Sequence, residues 1–199
     1  VNGSAVNING SMQDFIPFFI RPKNKAIVTL NVSSPNFDLT SLTTPRGIEK
    51  KTKQQSTKDR KKMTDLFDLV YDKLEFNIAV SVGQLAFRKF KATNFKGDVT
   101  LDNQVLRANP ITMQLADGKM ELNFSLKNVL APVAPMQIEA KISNANIREL
   151  FLNFNNFHQK TIQAENLRGR ISADVKLSAS VVENYKLLAP TLLGTLACK

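Results

Sequence analysis

A strict two-residue alternation of apolar and polar side chains most constrains how this chain can fold. Between 167 and 177 one face carries only apolar side chains and a glycine, while the other carries arginine, serine, aspartate and lysine. The pattern recurs at 26–32, 74–82, 120–126 and 136–142. Successive side chains of a strand point to opposite faces, so this period predicts strands with one wet and one apolar face, as is typical of an antiparallel sheet. We expect about eight strands, with turns at Val82–Gly83, Asp102–Asn103 and Asp117–Gly118.

Two short helices are predicted between the strands. Asn146 is followed three residues later by Glu149, an arrangement that resembles a capping box and predicts a helix starting there. A second helix is predicted over Val182–Leu188, ending before Pro190 because the residue before a proline avoids the helical conformation. The segment 64–73 fits either a helix or a strand.

Two parts of the sequence share the same residue pattern. Residues 92–100 and 164–172 share the pattern A-x-N-φ-(K/R)-G-x-φ-(S/T), where φ is an apolar residue. Each copy follows an S-x-x-N-φ signature, at 33–37 and at 143–147. The longer first spacing contains a basic tract at 43–62, which we interpret as an insertion. Repetition of one unit predicts an elongated sheet.

The positive charge is concentrated in one segment. The chain carries 27 basic and 17 acidic residues, a net charge of +10, and residues 43–62 hold eight of the basic and two of the acidic ones. A solvated linker explains this tract, and contact with anionic lipid head groups is the alternative. Nucleic-acid binding is not expected, because the best basic-aromatic segment, 85–91, reads as an ordinary edge strand protected by lysines.

Neither catalysis nor metal binding finds support in the sequence. His158 and Cys198 are the sole histidine and cysteine, so a disulfide framework or a zinc site has no ligands to draw on. His158 lies in a polar connection with no recognisable nucleophile or orienting carboxylate nearby. We therefore expect a protein that is not an enzyme and that uses no cofactor and no metal.

The apolar sides of the strands need a partner. About eight one-sided strands with little helix must close on themselves, pair with a second sheet, or bind an apolar ligand such as a lipid acyl chain. In a closed sandwich the same side chains would be ordinary core. The candidates for an apolar groove are Val99, Leu101, Met120, Leu122, Phe124, Leu126, Ile138, Ile171, Val175 and Leu177.

Several segments carry a family resemblance. They are 90–99 (FKATNFKGDV), 114–122 (QLADGKMEL), 147–151 (IRELF) and 164–173 (AENLRGRISA), followed by 183–185 (ENY) and 192–196 (LLGTL). Through them, the stretch 74–199 resembles the C-terminal region of AsmA-like proteins, particularly the forms found in Bacteroidetes-type bacteria. Residues 1–42 look like the preceding part of the same repetitive architecture. The resemblance covers most of the chain through diffuse sheet patterns.

The resemblance implies a fold and a cellular role. The fold is mainly β, an elongated, curved antiparallel sheet (groove-like or sandwich) with two or three short helices. The strands of 1–42 and the region 63–199 are expected to form one continuous domain around the 43–62 tract. Family members are usually anchored in the inner membrane by an N-terminal helix, face the periplasm, and are implicated in outer-membrane assembly and lipid traffic.

From the family we expect a non-enzymatic module of envelope biogenesis. It would be a periplasmic part of a longer protein whose inner-membrane anchor lies outside this chain, with phospholipid or another acyl-chain lipid as its partner. The longest nearly uncharged stretch, 187–198, is too short to span a bilayer as a helix. The alternative function is a β-scaffold that binds proteins through a sheet edge and assists outer-membrane protein assembly.

Overall fold

The computed structural model describes residues 5–14, 25–40, 74–129, 131–182 and 186–199, which form one curved, unclosed sheet. The expectation of a mainly β, curved sheet is confirmed. Within these ranges the sheet contains nine strands, and their spatial order is their order in the chain. They are β1 (Asn7–Gln13), β2 (Ala26–Asp38), β3 (Leu74–Phe87), β4 (Phe90–Asp102), β5 (Val105–Leu115), β6 (Gly118–Lys127), β7 (Val133–Asn146), β8 (Arg170–Val182) and β9 (Lys186–Cys198).

One neighbouring pair of strands is parallel, so the expectation of a wholly antiparallel sheet is wrong at that place. β2 and β3 run in the same direction, with Ala26 opposite Leu74 and Asp38 opposite Ala86. The other seven pairs among the described strands are antiparallel. A parallel pair requires a long connection, which the residues between β2 and β3 supply. The predictions for 43–62 and 64–73 fall outside the described residues.

The first predicted helix is confirmed. Helix α1 (Ile147–Asn153) links β7 to β8, and its N-cap Asn146 adopts an extended conformation. The Asn146 Oδ1 atom accepts a hydrogen bond of 3.2 Å from the Glu149 amide. Two 3₁₀ turns, Asn155–His158 and Ala164–Asn166, complete the connection. Among the residues that the structure describes, α1 is the one α-helix.

The second predicted helix, Val182–Leu188, is wrong. Val182 ends β8, and Leu188 lies in β9 opposite Ser180. The register of β9 shifts between the positions opposite Ser178 and Ser180, and Pro190 lies in this irregular part of the strand. The Thr191 hydroxyl accepts from the Ser180 amide and donates to the Leu188 carbonyl, 2.7 Å in each case. Proline is tolerated at such an edge-strand bulge because its missing N–H is not needed for the ladder.

The predicted turn at Val82–Gly83 is also wrong, because both residues lie inside β3. Gly83 is adjacent to Pro35 of β2, and a Cβ atom added at Gly83 would lie 2.5 Å from the Pro35 carbonyl oxygen. The glycine therefore permits a close approach of two strands and does not mark a turn. The segment 85–91 is likewise not an edge strand, since it joins the interior strands β3 and β4 around Arg88.

The other two predicted turns are hairpins, each displaced by one residue. The β4–β5 turn consists of Asn103 and Gln104, both with positive φ. The β5–β6 turn consists of Ala116 and Asp117, also with positive φ. Gly118 begins β6, where an added Cβ atom would lie 2.6 Å from the Ala145 Cα atom.

The two segments that share a sequence pattern adopt different local structures. Residues 92–100 lie entirely within β4, whereas 164–172 pass from a 3₁₀ turn into β8. Their burial nevertheless agrees at every position except the glycine, since Ala92 and Ala164 are both buried whereas Gly97 is buried and Gly169 is exposed.

The buried side chains gather at the two ends of the strands. At one end, called the helix end, Leu150 of α1 packs with Ala92, Met113 and Leu115. At the other end, called the far end, Leu126 packs with Ala134 and Val181. The surface between these clusters is the apolar side of the sheet.

Candidate functional site: the apolar face of the sheet

The strand registers align the apolar positions of all nine described strands into rows. Residues paired across neighbouring strands project from the same side of a sheet. One complete row, called the apolar row, consists only of apolar residues and one glycine. Its members are Ile8, Val32, Val80, Gly97, Ile111, Leu122, Ala140, Val175 and Leu196. With about 4.8 Å between neighbouring strands, the eight steps make this row about 38 Å long.

The ten residues predicted for the groove all lie on this apolar face. Phe124 is opposite Ile138 and Ile138 is opposite Leu177, which makes a second row parallel to the first. Val99 and Leu101 of β4 lie on this face because the β5 residues opposite them are in turn opposite residues of the same face in β6. Ile171 lies two residues before Ala173 and therefore on the same side of β8. The structure therefore brings the predicted residues together, across β4, β6, β7 and β8.

The ten residues divide into core and surface. Leu101 is 1% exposed and Leu126 is 3% exposed, so these two are ordinary core. The other eight are half-buried, as expected for side chains that touch their neighbours on a sheet but retain an open side. Of these eight, Met120 and Ile171 pack against the helix-end cluster and Phe124 packs against the far-end cluster.

The apolar face is wider than the predicted groove. It includes Ile111, Met136, Ala140 and Ile142, and it continues across Val28, Leu30, Val32, Phe76, Ile78 and Val80 of β2 and β3. The signal that could have found the β2 and β3 residues was available, because 26–32 and 74–82 show the same alternation. Their assignment to this face required the registers of β2, β3 and β4.

The opposite side of the sheet is polar and nearly neutral. Lys141 of β7 is flanked by Glu121 and Asp174, so charges alternate from strand to strand. Lys176 Nζ and Glu139 Oε1 lie 3.4 Å apart, with both side chains more than half exposed. Exposed pairs of this kind contribute little to stability. We regard this side as the solvated face.

Three depressions in the surface lie mainly on the polar side. Their volumes are about 790, 480 and 600 Å³. The depression of 790 Å³ is lined by polar residues such as Arg107, Ser125 and Gln137, and also by three residues predicted for the groove, namely Phe124, Ile138 and Leu177. Asn123 also lines it, and its Oδ1 atom is buried without a hydrogen-bond partner. The apolar face, by contrast, is an open strip and not an enclosed pocket. A closed sandwich, the alternative to the groove, is not seen within the described ranges, because all their strands belong to one unclosed sheet.

The lone histidine and cysteine are not members of the apolar row, although Cys198 pairs with Ala173 on the apolar face. His158 is exposed in the 3₁₀ turn after α1, and Cys198 is exposed at the end of β9. In the described part of the chain, no three His, Cys, Asp or Glu side chains come together in a group that could hold a metal ion. No helix in those same ranges has both the length and the apolar character that a membrane crossing requires.

Comparison of this chain with known protein families, with curated proteins and with solved structures found no match.

Proposed function

We propose that this chain is a non-enzymatic lipid-handling module of the cell envelope that holds phospholipid acyl chains against its apolar face. The apolar row is the observation that carries the proposal. Six of its nine members are half-buried, Gly97 is buried, and Ile8 and Leu196 at its two ends are exposed. A continuous apolar surface of this length is larger than scattered single apolar residues produce, and such surfaces mark sites that bind a ligand or a partner.

The energetics of an acyl chain fit such a strip. Each CH₂ group removed from water contributes about 0.8 kcal/mol, or roughly 12 kcal/mol for a 16-carbon chain. Contact with side chains such as Leu122, Phe124 and Val175 supplies this term without any catalytic group. Because the strip is open along its length, a phospholipid could leave its head group in water, and transfer would consist of sliding along the strip.

The cellular setting is proposed from the resemblance to AsmA-like proteins. On that basis the module is periplasmic, belongs to a longer protein anchored in the inner membrane, and serves outer-membrane assembly. Segments 90–99, 114–122 and 164–173 support this placement.

Native mass spectrometry of the purified 199-residue chain, combined with lipid extraction, tests the proposal. We expect phospholipid or fatty acid to copurify, and the variant Phe124→Asp/Val175→Asp to lose it, because two carboxylates would then lie on the apolar face. The matched control is Ser125→Asp/Ser178→Asp, which adds the same charges on the opposite side.

Circular dichroism must show that both variants keep the strand content of the unmodified chain. A folded, lipid-free protein, or equal lipid loss in both variants, would rule out the apolar face as the lipid site.

The open edge of β9 favours a second candidate function, a scaffold that binds proteins by strand addition. β9 is the last strand of the described sheet, and residues 187–198 carry no charged side chain. Leu193 and Leu196 are 70% and 67% exposed. A lipid-free protein that captures an extended peptide along β9 would favour this function over lipid handling.

A further inference from the structure

We propose that the helix end of the sheet docks onto the surface of an anionic lipid bilayer. The docking surface, called the tip, consists of residues 87–91 and 147–168, that is, the β3–β4 turn, α1 and the connection that follows it. This inference goes beyond the proposed function, since an acyl-chain site on the sheet does not by itself require a membrane contact at the strand ends.

The tip exposes large apolar side chains that the core does not use. α1 buries Leu150 against the sheet, whereas Leu152 on another side of the helix is 40% exposed. Beyond α1, Phe157 is 51% and Ile162 is 49% exposed. Phe157 is held in place by Phe154, whose ring is stacked on it with a centroid distance of 5.2 Å. The tip therefore offers apolar groups that could enter the boundary between lipid head groups and acyl chains.

Basic side chains surround these apolar groups. Two acidic residues, Glu149 and Glu165, lie in the tip together with six basic ones, which gives it a net charge of +4. The six are Arg88, Lys89, Lys91, Arg148, Lys160 and Arg168, and all of them are exposed. Basic residues close to an anionic bilayer are attracted to it, and long basic side chains extend their charges towards head groups while their stems cover apolar surface.

Hydrogen bonds hold the basic turn beside the apolar helix. Lys89 Nζ donates to Asn155 Oδ1 at 2.7 Å, and the Lys91 amide donates to Asn153 Oδ1 at 2.7 Å. The rings of Phe90 and Phe154 are 5.7 Å apart. Residues separated by about sixty positions in the chain thus form one surface that combines charge and apolar area.

The far end of the sheet lacks this combination. Its described strand ends carry three basic and three acidic residues, and these charges cancel. They are Lys25, Lys127 and Lys186 with Asp14, Glu75 and Asp102. Val133 and Leu187 are large apolar residues exposed there, at 50% and 41%, so the two ends differ in net charge and not in whether they expose apolar side chains. This contrast favours the helix end as the membrane-facing end. Nucleic acid would attract the basic residues but would gain nothing from Leu152 and Ile162.

Vesicle flotation with the full chain tests the proposal, using phosphatidylcholine vesicles with and without phosphatidylglycerol. The eight basic residues of the 43–62 tract are replaced by glutamine in every protein, so that they cannot mask the tip. We expect Lys160→Glu/Arg168→Glu to weaken binding to the anionic vesicles by about tenfold or more, and added salt to reduce the difference. Leu152→Gln/Ile162→Ser is expected to weaken binding severalfold and to preserve its salt dependence.

Matched controls come from the far half of the sheet. Arg107→Glu/Lys127→Glu changes the net charge by the same amount, and Val133→Ser removes an equally exposed apolar side chain. Both should bind anionic vesicles as the parent does. Equal binding by tip and control variants, or binding that ignores phosphatidylglycerol, would overturn the proposal, and thermal unfolding would show that each variant is folded.

The outcome is separable from that of the proposed function. Phe124→Asp/Val175→Asp should lose copurifying lipid yet still float with anionic vesicles, because neither residue belongs to the tip. If that variant stopped floating while tip variants floated normally, the apolar face and not the tip would be the membrane contact.

Discussion

At the residue scale, one side chain defines the start of α1. Asn146 Oδ1 accepts from the Glu149 amide, and the Asn146 amide itself donates to the Ala116 carbonyl at 2.7 Å. In a complete capping box the Glu149 side chain would accept a hydrogen bond from the Asn146 amide, but here the Ala116 carbonyl accepts it instead. The cap was predictable from the N-x-x-E pattern. That Glu149 does not accept from the Asn146 amide was not, because it depends on the position of the β5–β6 turn, which supplies the Ala116 carbonyl.

Replacing Asn146 by alanine should lower the free energy of unfolding by about 1 kcal/mol, because the Glu149 amide would lose its acceptor. Glu149→Gln should change it by less than about 0.5 kcal/mol, since only the favourable charge near the helix N-terminus is lost. Urea titration followed by circular dichroism measures both. A larger loss in Glu149→Gln than in Asn146→Ala would mean that the charge of Glu149, and not the Asn146 cap, mainly stabilises the start of α1.

Leu101 and Leu122 show what alternation cannot predict. Both were expected on the apolar face and both lie there, but Leu101 is 1% exposed and Leu122 is half-buried. The parity of a residue in its strand defines its side of the sheet. How deeply its side chain is buried depends on contacts between distant segments of the chain.

Leu101→Ala should therefore cost about 2–5 kcal/mol of unfolding free energy, as expected where a fully buried leucine leaves a cavity. Leu122→Ala should cost about 1 kcal/mol, because water can reach the truncated site and less surface is lost. Chemical denaturation of the two variants gives both values. Equal losses would show that the apolar face is covered at Leu122, which would count against an open lipid strip.

At the element scale, most strands were predictable from the sequence, but the edge strand β9 and the relative direction of β2 and β3 were not. Alternation located the strands around 26–32, 120–126 and 136–142, because one-sided strands leave a period of two. It missed β9, where Pro190 interrupts a mostly apolar run and the bulge carries Thr191. It also missed the parallel direction of β2 and β3, since alternation is the same for either strand direction.

After Lys186, the rest of the edge strand β9 is uncharged, and such edges favour pairing with other chains. We expect the protein to self-associate as its concentration rises, and Leu193→Lys to reduce this, because Leu193 projects from the edge strand on the polar side. Val133→Lys, at a comparably exposed position on an interior strand, is the control. Sedimentation velocity over a concentration series measures the effect, and a chain that stays monomeric throughout would contradict it.

At the scale of the whole molecule, the described sheet is a single layer in sequence order, with α1 over part of one end. Each strand contacts chiefly the strands beside it, so stability accumulates from neighbour to neighbour, as in repeat proteins. The mainly β class and the common face followed from local patterns. Curvature was an expectation of the family resemblance, and an open groove and a closed sandwich were both left as alternatives, because neither curvature nor openness can be derived from the period of a single strand.

The parallel pair has a consequence for how the basic tract can be altered. Asp38, the last residue of β2, lies beside Ala86 of β3, and Ala86 is twelve residues from Leu74, where β3 begins. The chain that connects β2 to β3 therefore joins two points that are about 40 Å apart. The 36 peptide steps between Asp38 and Leu74 cover this distance with slack. Removal of residues 43–62 would leave 16 steps, whose extended reach is about 53–58 Å. The tract thus supplies contour length as well as charge. Deleting it would shorten the chain available to connect β2 to β3, whereas neutral replacement would change the charge alone.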